Sequence, residues 1–108
     1  MIYNLLITEE MNQLLHESMD YLIYEKRSKQ GALHLVNEVQ KIYSYLEINP
    51  YLFSISNDPF LSAFQYGTAK LSSMNYIIVY KIVDNWVYIV GLYHSLEDYS
   101  EKVTFSNF

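Results

Sequence analysis

The run Tyr76-Ile77-Ile78-Val79-Tyr80 constrains this chain more than any other feature of it. Five consecutive aromatic and β-branched residues fit a strand buried on both faces of a sheet. Asp84-Asn85 follows shortly after, and both residue types tolerate positive φ, so the pair reads as a two-residue hairpin turn. Residues 86–93, from Trp86 to Tyr93, supply the returning strand. The fold therefore has to be built around a central hairpin spanning residues 75–93.

The rest of the pattern sorts into elements around it. Ile2 to Ile7 is mostly apolar and short, as a strand would be. Thr8 suits a helix N-cap, with Glu9 and Glu10 set against the positive end of the helix dipole. Met11, Leu14, Leu15, Met19, Leu22 and Ile23 then recur at helical spacing, and Lys26 and Arg27 suit the C-terminal end. Ser28-Lys29-Gln30-Gly31 interrupts the stripe. A second stripe runs through Ala32, Leu35, Val36, Val39, Ile42, Tyr43 and Leu46, and Pro50 ends it by barring Asn49 from helical geometry. Asp58-Pro59 resembles an N-cap and first helical position for a short helix over residues 60–64. A strand is expected over residues 68–73, after Gly67. The expected order is β-α-α-β-β-β, an α+β fold with a helical hairpin packed on an antiparallel sheet. No repeat, linker or composition break divides it, so residues 1–108 read as one domain.

Charge narrows the function. Seven Lys and Arg against twelve Asp and Glu give a net charge of −5 and a pI near 5.0. Non-specific nucleic-acid binding is driven by cations neutralising phosphates, so direct binding of free RNA or DNA is not expected. The absence of Cys removes disulfides, thiolate metal sites and cysteine nucleophiles. No apolar stretch approaches the ~18 residues of a membrane span, and no signal peptide is visible, so the expected location is the cytoplasm. Twelve Tyr among 108 residues suit half-buried positions and interfaces, and leave room for a homo-oligomer.

The joints between these elements carry a likeness. Tyr3-Asn4-Leu5-Leu6-Ile7-Thr8 opens a strand into a Thr-started helix, and Leu46-Glu47-Ile48-Asn49-Pro50 leaves the second helix through leucine and then proline. Lys70-Leu71, with the run from Asn75 to Ile82, forms a strand pair that ends in an apolar-Tyr motif. Val87-Tyr88-Ile89-Val90-Gly91-Leu92-Tyr93-His94 is a last strand running into a His. In order and spacing this resembles the RelE/ParE family of bacterial toxins of type II toxin–antitoxin systems, associated with plasmid stabilization. The resemblance implies a toxin neutralised by a cognate antitoxin. Its targets would be DNA gyrase in the ParE-like branch, or mRNA on the ribosome in the RelE-like branch. Many relatives are basic and carry Arg where this chain has Lys70 and Ser95-Leu96-Glu97-Asp98-Tyr99; here the only Arg is Arg27. That departure favours the branch that acts by protein binding over the nuclease branch.

The residues that would carry RNA cleavage are His94 and Tyr99 as acid and base, with Lys70 and Lys81 as cations for the developing phosphate charge. The structural alternative is that His94 closes its strand, the lysines are solvated, and Tyr99 packs at the sheet edge. His16 with Asp20 and His34 with Glu38 are spaced to face each other on a helix, but no third ligand and no HExxH pattern accompany them. They read as surface pairs. No serine sits in a nucleophile elbow and no glycines form a phosphate loop, so no metal or cofactor is expected and the enzyme reading is thin.

In the family, an antitoxin segment wraps the groove between hairpin and sheet. An acidic toxin implies a partner segment that is more basic or more apolar than usual, met by Tyr21, Tyr24, Tyr45, Tyr51 and Phe53. Two other readings stand beside this one: a ribosome-dependent mRNA endonuclease, and a degenerate non-toxic relative that only binds antitoxin.

Overall fold

A computed structural model describes residues 2–52 and 66–94. The elements are β1 (Asn4–Ile7), α1 (Glu9–Asp20), a π-helical turn (Tyr21–Glu25), α2 (Lys29–Ile48), a 3-10 turn (Pro50–Leu52), β2 (Tyr66–Lys70), β3 (Tyr76–Val83) and β4 (Trp86–His94). The order is the one the residue pattern gives. Residues 60–64, the expected short helix, and the tail after His94 lie outside the described residues. No helix among the described residues is long and apolar enough to cross a membrane.

The strands lie in the order β1-β4-β3-β2. β2, β3 and β4 are antiparallel, as expected, while β1 runs parallel to β4 and makes the sheet mixed. A parallel pair needs a long crossover, and the helical hairpin with the rest of the chain supplies it. Asp84 turns the β3–β4 hairpin at φ 54°, the conformation its residue type tolerates. The β3–β4 register slips between Val79 and Tyr80: Val79 faces Gly91 and Tyr80 faces Ile89, so Val90 is a bulge. Thr8 closes over it. Its Oγ1 donates to Ile89 O at 2.8 Å and Val90 O at 3.2 Å, and accepts from Met11 N–H at 3.1 Å. One side chain thus caps α1 and fixes it to the sheet.

The first helix ends earlier than its apolar stripe does. α1 passes at Tyr21 into a wider π-helical turn, and the helical run closes at Lys26 and Arg27, as expected, with the chain reversing at Arg27 (φ 51°). Ser28 caps α2, its Oγ accepting from Gly31 N–H at 2.9 Å. A Cβ on Gly31 would lie 2.8 Å from that oxygen, so glycine keeps the cap open. At the far end Asn49 is extended (φ −151°, ψ 89°), as the following Pro50 requires.

The core lies between the helices and one sheet face. Leu35, Val39, Ile42 and Leu46 of α2, with Met11 of α1, pack on Ala69, Leu71, Ile78, Val87, Ile89 and Leu92. Leu35 and Leu46 are fully buried, each contributing about 1.5–3 kcal/mol of burial free energy. β2 stops at Lys70, short of the expected residue 73, because the chain bends there towards β3, with Leu71 N–H donating to Tyr76 O at 3.0 Å, and the Ser72 and Ser73 hydroxyls reach Glu38 of α2.

Candidate functional site

The spacing of Glu10, Leu14, Glu17 and Tyr21 places the four on one side of α1 and the π-helical turn that continues it. They form a wall of an open groove of about 980 Å³. Leu22 and Leu92 contribute apolar surface, and the opposite side is built from Met74, Asn75, Tyr76 and His94. The rings of Tyr76 and His94 meet edge to face with centroids 5.6 Å apart. Lys26 sits at the hairpin end of the groove, its Nζ 5.7 Å from the centroid of the Tyr21 ring. The groove thus mixes apolar surface with two carboxylates, one lysine and one histidine.

A polar clamp holds the turn that forms one side of it. Glu38 of α2 is 5% exposed, and its Oε1 accepts from Ser72 Oγ at 2.6 Å and Ser73 Oγ at 3.0 Å. Those two hydroxyls, with Lys41 Nζ at 3.3 Å from Oε2, hold the Glu38 pKa down at about 2 against the opposing effect of burial. His34 Nε2 lies 2.5 Å from Ser73 Oγ. Ser73 gives its only proton to Glu38, so the histidine donates here. His34 and Glu38 are therefore joined through Ser73 and not to each other, and Glu38 is buried rather than part of a surface pair. Among the described residues no group of three or more His, Asp or Glu could hold a metal ion.

The residues weighed for RNA cleavage do not converge. Lys70 shares a row with Ile77 and Tyr93, whereas His94 shares one with Tyr76. Successive side chains alternate between faces, so Lys70 and His94 leave opposite faces of the sheet. Lys81 is on the Lys70 face, at the other end of β2, with its Nζ 5.1 Å from the centroid of the Tyr66 ring. Only His94 of the set reaches the groove, and Tyr99 lies outside the described residues.

The aromatic candidates separate into two places. Tyr21, 47% exposed, lines the groove, and Tyr24, 73% exposed, lies beside it in sequence on the same turn. Tyr45 and Tyr51 are also exposed, but they lie at the other end of α2. At 1.5 Å per residue that end is roughly 25 Å from the hairpin tip. Tyr51 packs edge to face on Tyr3 there, with centroids 6.3 Å apart. Phe53 lies outside the described residues. Sequence reasoning missed Glu10 and Glu17 as groove residues, although their heptad spacing around Leu14 was the available signal.

No family model matches the chain, and no curated protein matches it in sequence. A chain of the solved structure "Chromosomal ParDE TA system from P. aeruginosa" shares its fold with a TM-score of 0.67 and 14% identity, over 86% of this chain and 96% of that one. A likeness at 14% identity is one of fold, and it is the fold that the RelE/ParE resemblance implied.

Proposed function

We propose that this chain is the toxin component of a type II toxin–antitoxin pair, that it works by binding proteins, and that a cognate antitoxin neutralises it. The supporting observation is the shared fold over nearly the full length of a ParDE-system chain. The groove between α1 and the sheet end is the seat proposed for the antitoxin segment. Its Glu10 and Glu17 suit a segment carrying Lys or Arg, with apolar side chains against Leu14, Leu22 and Leu92.

The downstream target is read as a protein such as gyrase rather than mRNA on the ribosome. Cleavage needs a cation and an acid–base pair around one phosphate, and Lys70 and Lys81 share neither a face nor a pocket with His94. The carboxylates flanking the groove would repel a phosphate as well.

Induction of the chain alone in bacteria tests the reading. Growth arrest that co-expression of the antitoxin relieves is the expected result, with supercoiling by gyrase inhibited in a purified assay. Normal growth with a folded, soluble product would leave only the degenerate antitoxin-binding reading.

A further inference from the structure

The groove beside α1 carries its charges in a fixed order. Glu10 and Glu17 both line it and stand seven residues apart, about 10 Å along the helix axis. Leu14 lies between them, and Tyr21 follows one turn past Glu17. Lys26 then brings its Nζ to 5.7 Å from the centroid of the Tyr21 ring. From the start of α1 to the hairpin the order is acid, leucine, acid, tyrosine, lysine.

These charges are not spent inside the chain. Among the described residues the one ion pair is Lys41 with Glu38. Glu17 Oε2 accepts only from a neutral amide, Gln13 Nε2 at 3.0 Å. Leu14 and Leu22 are half-buried and Tyr21 is exposed, so apolar surface lies open between the charges.

The sequence outside the described residues does not complement this order. Residues 53–65 hold Asp58 and no Lys or Arg, and residues 95–108 set Glu97, Asp98 and Glu101 against Lys102 alone. Both segments carry the sign of Glu10 and Glu17, and like charges repel. Nor do any two Lys or Arg of this chain stand seven apart, so no helix of a second copy matches it either.

We infer that the groove takes an amphipathic helix of a different protein, laid along α1. That helix carries Lys or Arg at two positions seven apart, apolar residues between them, and Asp or Glu one turn beyond the second. The α1 wall spends its own backbone groups internally and offers none to a partner. An occupant lying against it must therefore satisfy its own backbone, as a helix does. The same rise per residue sets cations seven apart at the spacing of Glu10 and Glu17. The apolar residues between them meet Leu14, Leu22 and Leu92, in the manner of a helix in a groove. The inference deepens the reading of this groove as the antitoxin's seat, and rests on that seat rather than on toxicity.

Two labelled synthetic helical peptides of equal length test it against the whole chain by fluorescence anisotropy. One carries Lys, then Lys seven residues on, then Glu a turn later; the other carries Glu, Glu and Lys at the same places. The first is expected to bind roughly tenfold tighter or more, with the gap narrowing as salt rises. A Glu10→Lys, Glu17→Lys, Lys26→Glu variant is expected to invert the preference with an unchanged circular dichroism spectrum. Equal affinity for the two peptides, binding of neither, or a preference that survives the inversion overturns the inference. Growth arrest by a chain that shows no peptide preference removes the inference and leaves the toxin reading. A clear preference in a chain that does not arrest growth supports the inference and removes the toxin reading.

Discussion

Ser72 Oγ lies 2.6 Å from Glu38 Oε1, a hydrogen bond that joins the β2–β3 turn to the middle of α2 across 34 residues. The same carboxylate takes Ser73, and Ser73, Met74 and Asn75 then continue into the groove. Helix, turn and groove are in this way set by one buried acid.

That acid makes stability depend on pH with a definite sign. The Glu38 pKa is held below its ordinary value of 4.5, at about 2, chiefly by the Ser72 and Ser73 hydroxyls. A depressed carboxylate stabilises the fold above its unfolded pKa and loses that contribution as pH falls through its folded one. The melting temperature of Glu38→Gln is expected to lie below wild type at pH 7, with the gap closing between pH 4.5 and pH 2. A gap that stays constant over that range would mean that the carboxylate charge is not what the clamp uses.

Tyr80 is fixed from two sides. Its hydroxyl donates to Pro50 O at 3.1 Å, and a Cβ on Gly67 would clash with the Cζ, Cε2 and hydroxyl oxygen of its ring. Tyr80→Phe should cost about 1–2 kcal/mol by leaving a buried carbonyl unpaired. Gly67→Ala should cost about 1–3 kcal/mol by displacing the ring. Because both act on one contact, the double variant is expected to fall short of the sum in urea denaturation. Burial also raises the Tyr80 pKa to about 12, so its share of stability is present below pH 10 and lost as pH rises through 12.

Thr8→Ala removes the α1 cap and its tie to the Val90 bulge at once. A loss of about 1–2 kcal/mol is expected in chemical unfolding, with Thr8→Ser recovering most of it. A Thr8→Ser variant no better than Thr8→Ala would show that the methyl group, not the hydroxyl, carries the effect.

Much of this fold is local and was therefore legible. The apolar run Tyr76-Ile77-Ile78-Val79-Tyr80, the Asp84 turn, the Thr8 cap and the Pro50 stop each act within a few residues, and each is where the sequence puts it. What escaped is long-range. The parallel pairing of β1 with β4 links residues more than eighty apart, and no local pattern encodes it. Glu38 reads as the far half of a His34 surface pair until Ser72 and Ser73 are brought beside it. The candidate site was legible in its residue types more than in its geometry. Register, which fixes the face of every strand residue, puts Lys70 and His94 on opposite sides.

The partner surface can be divided by substitution. Tyr21→Ala is expected to weaken antitoxin binding by about 1–2 kcal/mol, since aromatic anchors in a groove carry a large share of binding energy. Tyr45→Ala with Tyr51→Ala, roughly 25 Å away along α2, should matter less than Tyr21→Ala. Calorimetric titration with the antitoxin checks this, and equal losses from both sets would mean that the partner wraps the whole hairpin.

The most direct test of action by binding is growth arrest by a Lys70→Ala, Lys81→Ala, His94→Ala triple variant beside the wild-type chain, with each confirmed folded. The account expects arrest of equal depth from both and intact mRNA in both cultures. Loss of toxicity in the folded triple variant, together with mRNA cleavage by the wild type alone, would contradict it.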